Sequence, residues 1–171
     1  TDKGMPAYQA VIKRYKADVI GHNQRALCAS QLRDWTMAID EIKVSVGILP
    51  KRAAFRVNLA LYSNYSGDFQ VGETEARNVL QLTGKPDAYG SLALADAQMA
   101  TGRLSDAEAT YRALSPIGGR GASVAASGLG DLAIVLGRYT AAIKILSDGA
   151  AADLAAKIPN PRTQIPKPNR V

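Results

Sequence analysis

Gly67-Asp68-Phe69-Gln70-Val71-Gly72 returns as Gly102-Arg103-Leu104-Ser105-Asp106-Ala107 and again as Gly137-Arg138-Tyr139-Thr140-Ala141-Ala142. A fainter copy, Arg33-Asp34-Trp35-Thr36-Met37-Ala38, precedes them. The large residues Trp35, Phe69, Leu104 and Tyr139 stand 34, 35 and 35 positions apart. Self-similarity at a fixed period of this size is the mark of a repeat built from one helix hairpin, because one hairpin cannot bury its apolar face alone and must stack on copies of itself.

Used as a ruler, the four large residues expose further constraints. Nine positions before them stand Ala26, Ala60, Ala95 and Gly130, and three after stand Ala38, Gly72, Ala107 and Ala142, small in every case. Paired helices approach closely only where side chains are short, so these offsets predict the tight crossing inside each hairpin. Ten before stand Arg25, Leu59, Leu94 and Leu129, a large apolar contact in three of the four. Gly67, Gly102 and Gly137 sit two before the ruler, where a helix end needs a left-handed residue, and Arg33 departs from that pattern. Apolar residues between the landmarks follow helical spacing, as in Val57, Leu61, Tyr65. Breakers fall at Pro50, at Gly84 with Pro86, and in the 115–121 loop with Pro116, Gly118, Gly119 and Gly121. Helices are therefore predicted at 19–32, 35–48, 52–66, 69–82, 87–101, 104–114, 121–136 and 139–156.

Extending the period backward from Trp35 makes 7–15 the second helix of a preceding repeat. The expectation is a leading half repeat whose apolar face is covered by chain further upstream or by a second copy. Residues 157–171 hold four prolines and no helical pattern, and read as a mobile, extended tail. The domain reading is thus a helical repeat over 1–156 and a Pro-rich basic tail over 157–171.

The 171 residues carry a net charge of +6, but Lys157, Arg162, Lys167 and Arg170 of the tail account for four of those charges with no acid beside them. The remaining 1–156 is nearly balanced, which argues against a nucleic-acid surface. No run approaches the length of a membrane-spanning segment. Cys28 is the only cysteine and lies in an apolar helix among Ala26, Leu27 and Ala29, where a thiol behaves as a small hydrophobe. His22, the only histidine, is six residues from it and points elsewhere on the same helix, so the two form no dyad. No metal-ligand spacing and no phosphate loop following a strand is present. The chain is read as a non-enzyme, without cofactor or metal.

Gly-Asp-Phe at 67–69, Gly-Arg-Leu at 102–104 and Gly-Arg-Tyr at 137–139, each with its small residue three later, resemble the tetratricopeptide repeat family over nearly the whole chain. The resemblance implies an all-α fold, a right-handed α-solenoid of about four hairpins plus the leading half. The chain departs from the family thirteen positions before the ruler, where a large residue is usual and His22, Arg56, Ser91 and Ala126 stand. Residues 58–69 and 147–157 are also similar to the repeat regions that follow the kinase domain in some bacterial serine/threonine kinases. No His-Arg-Asp, Asp-Phe-Gly or glycine-rich nucleotide loop accompanies them, so no kinase activity is implied.

In this family the first helix of each unit lines a concave groove. The matching positions include Asn23, Leu27, Asn58, Leu61, Tyr65, Tyr89, Asp96, Met99 and Asp131. Asn amides offer donor and acceptor to an extended backbone, Tyr and Met give adaptable apolar contact, and the two Asp favour a basic segment. Members that grip a C-terminal carboxylate use Lys and Arg here, and this chain has none at those positions. The resemblance implies a protein-interaction module for a neutral or basic peptide or protein segment. A second expectation is self-association through the N-terminal helix, as part of a larger signalling protein.

Overall fold

A computed structural model describes residues 4–156; the predicted tail at 157–171 lies outside them. Among the described residues the chain is all-α, with nine α-helices, one 3-10 turn and no strand. It forms two compact units, divided between Ala107 and Glu108.

The first unit contains α1 (Gly4–Arg14), α2 (Val19–Gln31), α3 (Trp35–Ile48), α4 (Ala53–Ser66), α5 (Phe69–Thr83), α6 (Ala88–Ala100) and the start of α7 (Leu104–Arg112). Three-residue or shorter links make α2/α3 and α4/α5 hairpins, while α3 packs on α4 and α5 on α6. The same helix end recurs. Arg33, Gly67 and Gly102 take φ of 59°, 91° and 77°. The amide that follows each reaches back five residues, from Asp34 to Ala29 O (3.0 Å), Asp68 to Ser63 O (2.9 Å) and Arg103 to Gln98 O (2.8 Å). This is the Schellman closure of a helix end. Arg33 adopts the left-handed geometry without glycine's freedom, so the hairpin turn is kept at a steric cost. Asp34 and Asp68 then cap the next helix by accepting from the amides of Met37 (3.0 Å) and Val71 (3.1 Å).

Every small residue picked out by the ruler in this unit is buried: Ala26, Ala38, Ala60, Gly72, Ala95 and Ala107. At Gly72 a Cβ would fall 1.8 Å from Asn64 Oδ1, and Asn64 Nδ2 donates to Ala93 O at 2.8 Å, tying α4 to α6. Trp35 shows what the ruler residue does, packing its indole on Tyr62 and Tyr65 of the following hairpin at centroid distances of 6.4 and 5.2 Å. The family's large residue thirteen before the ruler is replaced here by polar side chains, His22, Arg56 and Ser91, and the first two reach across their hairpins. His22 Nδ1 meets Glu41 Oε2 at 2.7 Å, and Arg56 Nη1 meets Glu75 Oε2 at 2.6 Å, each joining the two helices of one hairpin.

The leading α1 starts at Gly4, three residues before the predicted 7–15 helix, and packs on α2. Met5 joins the core of Ala26, Ala29, Ala38 and Ile42, yet no α1 residue is fully buried.

The second unit contains the rest of α7, a 3-10 turn (Ser115–Ile117), α8 (Gly119–Val135) and α9 (Tyr139–Ala155). The predicted 115–121 loop is shorter than expected, since Gly118 and Gly119 turn the chain at φ of 72° and 49° and α8 begins at once. The α8/α9 turn repeats the Schellman closure, with Gly137 at φ 71° and Arg138 N–H on Ala133 O at 2.8 Å. Gly130 and Ala142 are buried where the ruler requires, and Leu146 of α9 packs against Gly130.

Candidate functional site

In the first unit a groove of about 410 Å³ opens beside α2, α4 and the start of α6. Asn23, Val57, Asn58, Leu61 and Tyr89 line it, together with Phe55 and Asp87. Four of the nine residues expected from sequence, Asn23, Asn58, Leu61 and Tyr89, are thereby brought to one place. Asn58 Nδ2 donates to Asn23 Oδ1 at 3.1 Å. That bond uses one donor and one acceptor of the pair and leaves the Asn23 amide hydrogens and the Asn58 carbonyl to bind something else. Val57 and Leu61, one turn apart on α4, supply an apolar wall beside the polar pair.

Asp87 was missed by the groove reading. Its Oδ1 accepts from the amides of Tyr89 (3.1 Å) and Gly90 (2.8 Å), capping α6, which holds the carboxylate at the groove's edge and fixes where Tyr89 leaves the helix. The signal was available as an Asp after Pro86 just ahead of a helical pattern.

The other expected residues are spread out. Tyr65 lies near the C-terminal end of α4 with its ring on Trp35, and it keeps 55% of its surface exposed. Desolvation of the part that is covered raises its pKa, and the neighbouring Asp96 carboxylate and Tyr62 push the same way. Leu27 is exposed on α2, while Asp96 and Met99 are half-buried on α6. Asp131 is on α8 and belongs to the second unit.

Chemistry is thin elsewhere in this unit. His22 is committed through both ring nitrogens, to Glu41 and to Lys16 O at 3.0 Å. Among the described residues no three His, Cys, Asp or Glu gather as metal ligands, and no helix is long and apolar enough to cross a membrane.

Helix hairpins repeated every 34 or 35 residues, with the first helices of successive hairpins lining a mixed polar and apolar groove, define an α-helical repeat of the interaction type. Residues 57–122 match the tetratricopeptide repeat family. Solved structures with the same fold include a crystal structure of MamA, with TM-score 0.71 and 16% identity over 90% of this chain and 88% of that one. A crystal structure of MamA protein gives 0.69 and 15% over 96% and 86%. MamA MSR-1 C2 gives 0.59 and 11% over 91% and 95%. At these identities the likeness is one of fold. No curated protein sequence matches the chain.

Proposed function

We propose that the first unit binds a neutral or basic peptide or protein segment, without catalysis, in the groove lined by Asn23, Asn58, Leu61 and Tyr89. The observation that carries this reading is the Asn58–Asn23 hydrogen bond beside the Val57–Leu61 wall. An extended backbone can pair with the amide groups left over while its side chains rest on the wall, and Asp87 at the edge favours a cation. Tyr65, Asp96 and Met99 extend the same reading along α4 and α6.

The test is selection of peptides on the full chain, followed by titration against an Asn58→Ala, Leu61→Ala variant. Loss of about tenfold or more in affinity with an unchanged melting curve supports the groove, that being the scale for removing a hydrogen-bonding and an apolar contact together. Equal affinity removes the groove from consideration.

A second reading rests on α1, where Val11, with Tyr15 just past the helix end and Ile20 at the start of α2, remains exposed. It is self-association through this face, as part of a larger assembly. Light scattering on a Val11→Asp, Tyr15→Asp variant decides it, because a concentration-dependent dimer must disappear.

A further inference from the structure

The repeat register allows one hairpin to be laid on the next, and a cluster at the first unit's edge has an incomplete counterpart in the second. Glu73, Arg77 and Arg103 stand four after, eight after and one before successive ruler residues; one period on, the same places hold Glu108, Arg112 and Arg138. In the first unit the set is closed, for Glu73 accepts from Arg77 at 2.6 Å and from both terminal nitrogens of Arg103. In the second, Glu108 accepts from Arg112 at 2.6 Å. Among the described residues no carboxylate lies within ion-pairing reach of Arg138.

The open arginine borders a cavity of about 360 Å³ within the second unit, floored by Leu129, Leu132, Leu136 and Ile145 and edged by Arg138 and by the Glu108–Arg112 pair, so that Arg138 is the rim's one charge in excess. One period earlier the places of Leu132, Leu136 and Ile145 are held by Ala97, Thr101 and Thr110, so the apolar floor is particular to this hairpin. Arg138 also stands where Asp34 and Asp68 cap their helices. The start of α9 has no side-chain cap and no acid in its first turn. A carboxylate brought to this point meets a guanidinium and uncapped helix amides together, with an apolar cavity alongside.

We propose that this cavity seats an acidic partner segment: a leucine or isoleucine fills the apolar floor, and an aspartate or glutamate within a residue or two pairs with Arg138. The cavity belongs to the second unit and selects the charge opposite to that proposed for the groove of the first.

Fluorescence polarisation of fluorescein-Gly-Ser-Leu-Leu-Asp-Ser-Gly-amide against the full chain, with an amide-resolved NMR map, tests it. The expected result is saturable binding that shifts the amides of Leu132, Leu136 and Ile145. Replacing the peptide's Asp by Asn, or Arg138→Gln in the protein, each weakens binding about tenfold, the scale of one charge-assisted hydrogen bond, and the two changes together weaken it no further. Ala141→Trp, at the exposed cavity mouth, abolishes binding, and melting curves verify that both variants fold. Absence of binding overturns the proposal, as does indifference to Arg138→Gln and to the peptide's Asn form. Shifts of the same amides by octanoate but not by the peptide make the site one for a fatty acid and overturn it. A concentration-dependent dimer lost on Arg138→Gln assigns the face to a second copy, and also overturns it.

Discussion

The α2/α3 and α4/α5 hairpins of the first unit each carry a polar bridge to a glutamate across the hairpin, whereas the α8/α9 hairpin of the second has apolar side chains at those places. His22 with Glu41, and Arg56 with Glu75, are pairs 19 residues apart that bridge the two helices of one hairpin at 2.7 and 2.6 Å. The same two places in the second unit hold Ala126 and Ile145. There the helices approach on glycine, as α4 and α5 also do at Gly72: an added Cβ would lie 2.4 Å from Leu146 at Gly130 and 2.6 Å from Ala126 at Gly149, and α8 meets α7 in the same way, 2.2 Å from the Tyr111 ring at Gly128. A repeat period fixes where two helices must approach, and leaves open whether a shielded ion pair or a side chain set against glycine fills the crossing. The two solutions fail differently when one partner is taken away.

The widest separation between them is expected at Glu41. Its carboxylate meets both His22 and Arg25, with Arg25 Nη1 at 2.5 Å, and Arg25 Nε is already buried without a partner. Glu41→Ala leaves the buried His22 Nδ1 and the half-buried Arg25 guanidinium without their acceptor, which costs about 1–3 kcal/mol because their desolvation is then only partly compensated. Chemical denaturation should show that loss, and amide exchange should place it in α2 and α3 while α8 and α9 stay protected. An α8 or α9 that deprotects in step would end the distinction between the units.

Gly128→Ala probes the other solution. The new methyl would overlap the Tyr111 ring, and Tyr111 is buried, so the ring or the helix must shift. Overpacking of this kind costs about 1–3 kcal/mol. The expected readout is a lower unfolding midpoint with exchange protection lost in α8, and a midpoint equal to that of the parent chain would show that the crossing has slack.

The crossings explain which parts of this molecule could be read from the chain alone. The small residues at fixed offsets are dictated by helix approach, a local steric demand that leaves its mark at each repeat, and they are buried as expected. Arg33 was the one break in the glycine pattern, yet its backbone takes the same left-handed turn; tertiary packing overrides the preference of one residue. The polar residues at 22 and 56 read as a departure from the family, because their partners Glu41 and Glu75 lie on the opposite helix, where no periodicity in the first helix points to them. The groove was partly legible for the same reason. Asn23 and Asn58 are 35 apart and meet, but Asp87 enters from a capping position outside the ruler, and Asp131 falls in the other unit.

The smallest effect sharpens the comparison at the units' edges, where one arginine set is closed and the other open. The two arginines beside Glu73, Arg103 foremost, hold its carboxyl at about 2, well below the ordinary glutamate range near 4.3. A pKa lowered by folding contributes stability that is complete above the unfolded value and is lost as pH falls from about 4 toward 2. Glu73→Gln should therefore flatten that part of the acid limb of thermal unfolding, by no more than about 1 kcal/mol because the cluster is screened by solvent. Arg103→Gln should flatten the same limb, since it removes the principal cause of the shift. Arg138→Gln, whose guanidinium meets no described carboxylate, should leave the limb of the parent chain in place. If Arg138→Gln flattens it as well, the arginine has an acidic partner that the described residues do not supply, and the closed and open sets are not the contrast drawn between them.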